Sequence, residues 1–376
     1  MTQSQFQILC IDDDEFMLKA THRLVRRLKP DWTLNVTSDP INWEQHIDAS
    51  SPPSLVVSDL LMPKLRGDEL LKQIAVKYPA TIRAMMTGDS TRNIPELAIA
   101  NAHFILPKPF SEQDFSYVLD SVERLHQLPF SEATKRQLAG LESVPVLPSR
   151  IRKILQALRD PEFEIEQLSR MVSEEPALVT RLLQLSNSAY LGFQNQTMSV
   201  EVAINRLGMV VTGAIATCML SQKVFHNVSV ESHQAVVDHY LQLAGVCRSL
   251  SQKLNFPKSQ QECIYLAALF GSLGELVLLE MGVEREKVSG ISSIEENHLD
   301  ALVIASYVLI LWGYQLDIAV TMLASDTTVA NNNSDIDAGQ IICVCRQWLQ
   351  KSHEEQRQLC MTLPNQLAEF FQGWPE

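Results

Sequence analysis

The first third of the chain alternates short apolar runs with amphipathic ones; beyond it, apolar residues recur only at helical spacing. Gln7–Ile11, Thr33–Val36, Leu55–Ser58, Ile82–Met86 and Phe104–Leu106 read as strands. Met17, Leu24, Val25 and Leu28 share one helical face, and Phe115, Val118, Leu119, Val122 and Leu125 share another. Strands alternating with helices in this way predict an α/β, doubly wound, mostly parallel sheet covered on both sides. Its functional loops then lie at the carboxyl edge.

The pattern changes after residue 126. His126 to Ser149 holds Pro129, Gly140, Pro145 and Pro148, which mark a boundary, with a short helix expected over Thr134–Leu141. From there Ile151, Ile154, Leu155 and Leu158 repeat at helical spacing, as do Ile165, Leu168, Met171 and Val172. Pro176 stands where a first-turn proline belongs, ahead of Leu178, Leu182, Leu183 and Leu185. Further helices are predicted at Val200–Leu207, Met209–Val224, Val236–Leu254, Cys263–Leu279, Leu299–Trp312, Ile318–Leu323 and Ile336–Leu349. Several are apolar nearly all round, so they belong in a helical core, and Gly213, Gly271 and Gly274 inside them allow close helix contact. The expected organisation is an α/β domain over 1–126, a linker over 127–148, an all-helical domain over 149–350 and a C-terminal extension over 351–376.

Bulk properties narrow the class. A chain of 376 residues accommodates two or three cores. The nearly apolar stretch Ala301 to Tyr314 is shorter than the roughly 20 residues that span a bilayer. No basic segment precedes an apolar run at the start, so a cytoplasmic protein without membrane insertion is expected. Seven cysteines among apolar neighbours suit reduced, mostly buried thiols, and the Cys343/Cys345 spacing suits neither a redox nor a zinc pair. A net charge of -13 disfavours nucleic acid or an anionic membrane as the main partner. Arg23, Arg26, Arg27 and Lys29 form a small basic patch, read as the solvated face of the first helix.

Five residues at strand ends carry the chemistry. Asp12 and Asp13 follow the first strand and Asp59 the third, so three carboxylates converge where those strands are neighbours. Like charges at that range need a cation between them. Oxygen ligands select a hard ion, and Mg2+ keeps water positions for phosphate oxygens. Asp12, Asp13 and Asp59 are assigned as metal ligands with the backbone carbonyl of Leu61, and Asp59 also as the nucleophile that accepts a phosphoryl group. The Lys108 ammonium, set between Pro107 and Pro109, and the Thr87 hydroxyl are assigned to the phosphoryl oxygens. Helix capping is the simpler reading of any one aspartate, but not of five residues at matching strand ends.

Gln7–Glu15 (QILCIDDDE), Val56–Gly67 (VVSDLLMPKLRG), Met86-Thr87-Gly88 and Leu106–Phe110 (LPKPF) resemble the receiver domain of two-component response regulators. The resemblance implies a flavodoxin-like fold with a five-stranded parallel sheet, and a histidine kinase or phosphotransfer protein as donor. It further implies a switch in which Thr87 moves toward the phosphate and an aromatic residue three positions before the lysine turns inward. Here that position is Ile105, with Phe104 and His103 just upstream. His103 reads as a satisfied surface histidine.

Leu182–Gly192 (LLQLSNSAYLG) and Thr197–Gly208 (TMSVEVAINRLG) end and begin helices, where Asn187, Ser188, Tyr190 and Asn205 can tie backbone groups. With Ile151–Leu158 and Leu266–Leu278 they resemble the HDOD domain, a helical relative of the HD-type metal phosphohydrolases. A catalytic HD protein would carry its His-Asp pair within Ala268–Leu276, where this chain has Gly271 and Ser272; His239 falls near the upstream histidine position. Glycine has no ligand atom and neutral serine is a poor substitute for a bridging carboxylate. No catalytic residue is therefore assigned in the helical domain. The expected function is a response regulator, not an enzyme, that relays phosphorylation through protein–protein contacts to a downstream signalling protein, with homodimerisation open. The alternative is a receiver-regulated HD-type metal phosphodiesterase or phosphohydrolase; a DNA-binding regulator is disfavoured by charge.

Overall fold

The computed structural model describes residues 6–48, 51–88, 101–141, 149–158, 160, 162–187, 195–283, 299–326 and 336–373. The chain divides into two compact units, Met1–Val146 with Ile310–Tyr314, and Leu147–Leu309 with Gln315–Glu376. In the first, β1 (Gln7–Ile11), α1 (Glu15–Leu28), β2 (Thr33–Thr37), β3 (Leu55–Asp59), α2 (Gly67–Lys77), β4 (Ile82–Thr87), β5 (Phe104–Pro107) and α3 (Glu112–Gln127) follow in order. The strands form one parallel sheet in the order β2-β1-β3-β4-β5, which reverses direction beside β1 and so opens the carboxyl edge there. Alternate residues face opposite sides of such a sheet. Leu9, Ile11, Val56, Met85 and Ile105 pack with Leu70, Leu71 and Ile74 of α2 and with Trp43. On α1 Leu18 and Val25 are buried, and on α3 Phe115, Val118, Leu119, Val122 and Leu125 are. Among the described residues the crossover from β2 to β3 holds the 3-10 turn Trp43–His46 and not the full helix that alternation suggested.

A short helix α4 (Glu132–Ala139) occupies part of the expected linker, capped by Ser131. Pro145 and Pro148 lie outside the described residues. Among the described residues the regular elements of the second unit are all helices: α5 (Ser149–Ala157), α6 (Ile165–Ser173), α7 (Pro176–Ser186), α8 (Val200–Leu207), α9 (Met209–Leu220), α10 (Val230–Lys253), α11 (Lys258–Glu280), α12 (Ala301–Leu311, whose last two residues group with the first unit), α13 (Leu316–Ala324), α14 (Ala338–Gln350), α15 (His353–Thr362) and α16 (Asn365–Gln372). Every residue of α11 from Ile264 to Leu278 is buried, because α9, α10, α13 and α14 pack around it. Among the described residues α11 is the one unbroken helix long and apolar enough to cross a membrane, and 83% of its most apolar stretch lies inside the fold. Val200–Leu207 with Met209–Val224 meets the same measure only as a pair bent by 107°.

Several boundaries differ from the sequence expectation. α10 starts at Val230 because Ser229 caps it, accepting from the Ser232 N–H, although the first turn is polar. The helix from Met209 ends at Leu220 and closes as a 3-10 turn, Ser221–Val224. The C-terminal extension is helical: Ser352 and Glu355 form a capping box for α15, and Phe371 of α16 stacks on Trp348 at 4.5 Å. All seven cysteines are free, five of them buried.

Candidate functional site: an acidic pocket bridged by a lysine

The pocket is made by strand ends. β3 ends on Asp59 itself and β4 on Thr87, each one residue later than the apolar runs suggested, and β1 stops one residue before Asp12. Asp12 and Asp59 are buried while Asp13 is exposed, and oxygens of the three lie within 4.8 Å of one another. Among the described residues this is the one such group of three or more histidine, cysteine or carboxylate side chains. Asp14 caps α1, accepting from the Phe16 N–H at 2.8 Å, and its own N–H donates to Asp12 Oδ1 at 2.9 Å. The acidic run thus splits its work: Asp14 serves the helix and leaves Asp12 and Asp13 to the pocket.

Lys108 closes the pocket. Its Nζ lies 2.7 Å from Asp12 Oδ2 and 2.6 Å from Asp59 Oδ1, and its backbone N–H donates to the Thr87 carbonyl at 2.6 Å. Burial pushes the Asp12 carboxyl above its ordinary value, and the Asp59 charge adds to this against the opposing pull of Lys108. Burial pulls Lys108 down, but its bonds to Asp12 and Asp59 outweigh that and hold it above the usual lysine value. The Leu61 N–H donates to Asp59 Oδ2 at 3.0 Å, which fixes one carboxylate oxygen. Gly67 at the start of α2 sits against the same turn: a Cβ there would lie 2.0 Å from the Asp59 carbonyl oxygen. This donor set fits a divalent cation, since three carboxylates with a single ammonium between two of them leave negative charge uncompensated.

Thr87 is buried at the pocket edge. Ile105 is buried in the apolar cluster beside Met85 and Ala102, while Phe104 meets the ring of Tyr117 edge-on at 5.7 Å. His103 is a correction: it is buried, not on the surface. Its Nδ1 accepts from the Arg83 N–H at 3.0 Å, and burial beside the Arg83 guanidinium drives its pKa well below 6.5. The sequence signal for this was its place one residue before a buried strand.

In the helical unit Gly271 and Ser272 are both buried on α11. The Tyr240 ring fills the space beside Gly271, where a Cβ would come within 2.6 Å of it, and the Ser272 hydroxyl donates to the Leu269 carbonyl at 2.8 Å. His239 is half-buried with its ring edge-on to Tyr240 at 5.4 Å. Asn187 ties the chain as expected, its side chain exchanging two bonds of 2.8 Å with the backbone of Thr197. Asn205 is exposed; the neighbouring Arg206, which the sequence reading passed over, donates to the Ser186 and Asn195 carbonyls and to Asn187. Ser188 and Tyr190 lie outside the described residues.

A parallel sheet of this order with such a pocket defines a receiver. The family model described as response regulator receiver domain matches residues 8–120, and the HDOD domain model matches residues 144–309. The chain carries a receiver domain followed by an HDOD domain, a composition that places it among two-component response regulators. A receiver domain from Clostridium thermocellum is similar at 24% identity, covering 33% of this chain and 99% of its own, with a TM-score of 0.31. The signal receiver domain of an HD domain-containing protein from Pseudomonas fluorescens Pf-5 shares 29% identity over 34% of this chain and 93% of its own, with a TM-score of 0.29. A protein-glutamate methylesterase/protein-glutamine glutaminase of Colwellia psychrerythraea is 29% identical over 111 residues. An uncharacterized protein of Treponema pallidum is 32% identical over 69 residues. The chain spans only 28% and 14% of the length of these last two.

Proposed function

We propose that Asp59 accepts a phosphoryl group from a histidine kinase or phosphotransfer protein and that the HDOD domain relays this state by binding a downstream signalling protein. The observation that carries the reading is the Lys108 ammonium held between Asp12 and Asp59, 2.7 and 2.6 Å away, beside the third carboxylate, Asp13. In the transfer an Asp59 oxygen attacks phosphorus, the phosphorus–nitrogen bond to the donor imidazole breaks, and its electron pair leaves with that imidazole. Lys108 Nζ lies 2.6 Å from Asp59 Oδ1, so it can follow the charge onto the phosphoryl group. Thr87 ends β4, the strand beside β3, and the Leu61 N–H reaches the other Asp59 oxygen at 3.0 Å. Mg2+, held by Asp12, Asp13, Asp59 and the Leu61 carbonyl, would supply neutralisation of the transferred oxygens.

In the helical domain the filled space at Gly271 and the inward bond of Ser272 support a binding role over hydrolysis. Thr87 and Ile105 are the switch positions, and with an aliphatic residue already in the core at 105 the rearrangement rests on Thr87. Phosphate then needs to favour one arrangement by only a few kcal/mol to shift the population. We place the protein in the cytoplasm. The relay is tested by capturing bound proteins from extract with beryllofluoride-loaded chain and with Asp59→Asn chain. A partner retained by one form only is expected; the same set on both would refute the relay.

A further inference from the structure

β2 is the edge strand, so the flank of α1 that overhangs it has no further strand to cover it. A groove of about 750 Å3 opens there, within the roughly 300–1,000 Å3 typical of small-molecule sites. Its apolar floor is Leu18 and Val36, its rim Lys19, His22, Arg23 and His46. Thr37 and Ser38 add hydroxyls at one end. None of its lining residues belongs to the carboxylate pocket.

Only part of the charge of this wall is paired within the protein. The basic stripe of α1 divides: Arg27 pairs with Glu112, and Lys29 with Asp120 and Glu123 across to α3. Lys19 pairs with Glu15 at 3.4 Å, which also neutralises the one carboxylate on the rim. The side chains of Arg23, His22 and His46 have no hydrogen-bond or ion-pair partner among the described residues. A guanidinium and two imidazoles are thus left open over the apolar floor of this groove. A guanidinium offers paired donors to a phosphate or carboxylate, and imidazole rings with aliphatic walls accept a flat apolar body.

We propose that this groove binds a small phosphorylated aromatic molecule of the nucleoside monophosphate class, with Arg23 on the phosphate and His22 and His46 bracketing the ring over Leu18 and Val36. Adenosine 5′-monophosphate is the probe, titrated calorimetrically into the full chain. Saturable binding tighter than about 1 mM is expected, with adenosine and inorganic phosphate each about tenfold weaker or worse. Arg23→Ala and His46→Ala, both at exposed positions, should each weaken it about tenfold, while Asp59→Asn leaves it unchanged. No saturable heat, equal binding of phosphate alone, insensitivity to both groove variants, or loss in Asp59→Asn would each overturn the proposal.

Discussion

Asp12 is held in a conflict that the fold tolerates for the sake of the pocket. Its folded carboxyl binds a proton more tightly than in the unfolded chain, so its ionised form opposes folding at every pH above that raised value, and the opposition fades as pH falls through it. Asp12→Asn should therefore raise the thermal midpoint of the metal-free protein, by roughly 2–8 °C per kcal/mol relieved, and remove the further rise expected of the wild type on adding Mg2+. Calorimetry with and without Mg2+ checks both; a lower midpoint in the metal-free variant would contradict the account. The buried histidines act in the opposite sense. Burial lowers His233 from 6.5 to about 4, with its Nε2 3.1 Å from the Ser221 hydroxyl, and lowers His103 well below 6.5. For His233 the depressed value means that its contribution to stability is complete above pH about 6.5 and is lost as pH falls toward about 4, and His103 acts in the same direction. His233→Gln should flatten that part of the acid denaturation curve for the helical transition, and an unchanged slope would count against it.

At the scale of elements, strand ends explain why the site was legible. Each apolar run stops at the carboxyl edge, so Asp12, Asp59, Thr87 and Lys108 could be placed at strand ends from the hydrophobic pattern together with their residue types. Helix ends were less legible, because capping polar residues such as Ser229 and Ser352 carry no hydrophobic periodicity. Arg206 escaped notice for a related reason: its bonds are to backbone groups up to 20 residues away, a contact that no local pattern encodes. His103 was misjudged because a polar residue beside a strand end reads as exposed until its partner, Arg83, is known. Packing between elements also sets a prediction. Because a Cβ at Gly67 would meet the Asp59 carbonyl, Gly67→Ala must move either α2 or the β3 end. We expect a cost of about 1–3 kcal/mol in urea denaturation and a slower phosphoryl uptake. Wild-type values for both would remove the strain argument.

At the scale of the molecule, one face of the parallel sheet packs with α2 and Trp43 into an apolar cluster, and α11 with its surrounding helices forms another. Residues 1–126 alone should therefore unfold in one cooperative transition and retain Mg2+-dependent phosphorylation. Loss of a cooperative transition in that fragment would show that its core is incomplete. The chemistry itself has a more direct test. The full chain is incubated with acetyl phosphate and Mg2+, trapped by reduction of the acyl phosphate with borohydride, and mapped by peptide mass spectrometry. The account predicts modification at Asp59, absent without Mg2+ and much reduced in Lys108→Ala. Folded protein that is unmodified at Asp59, or modified equally well without the metal, would contradict it.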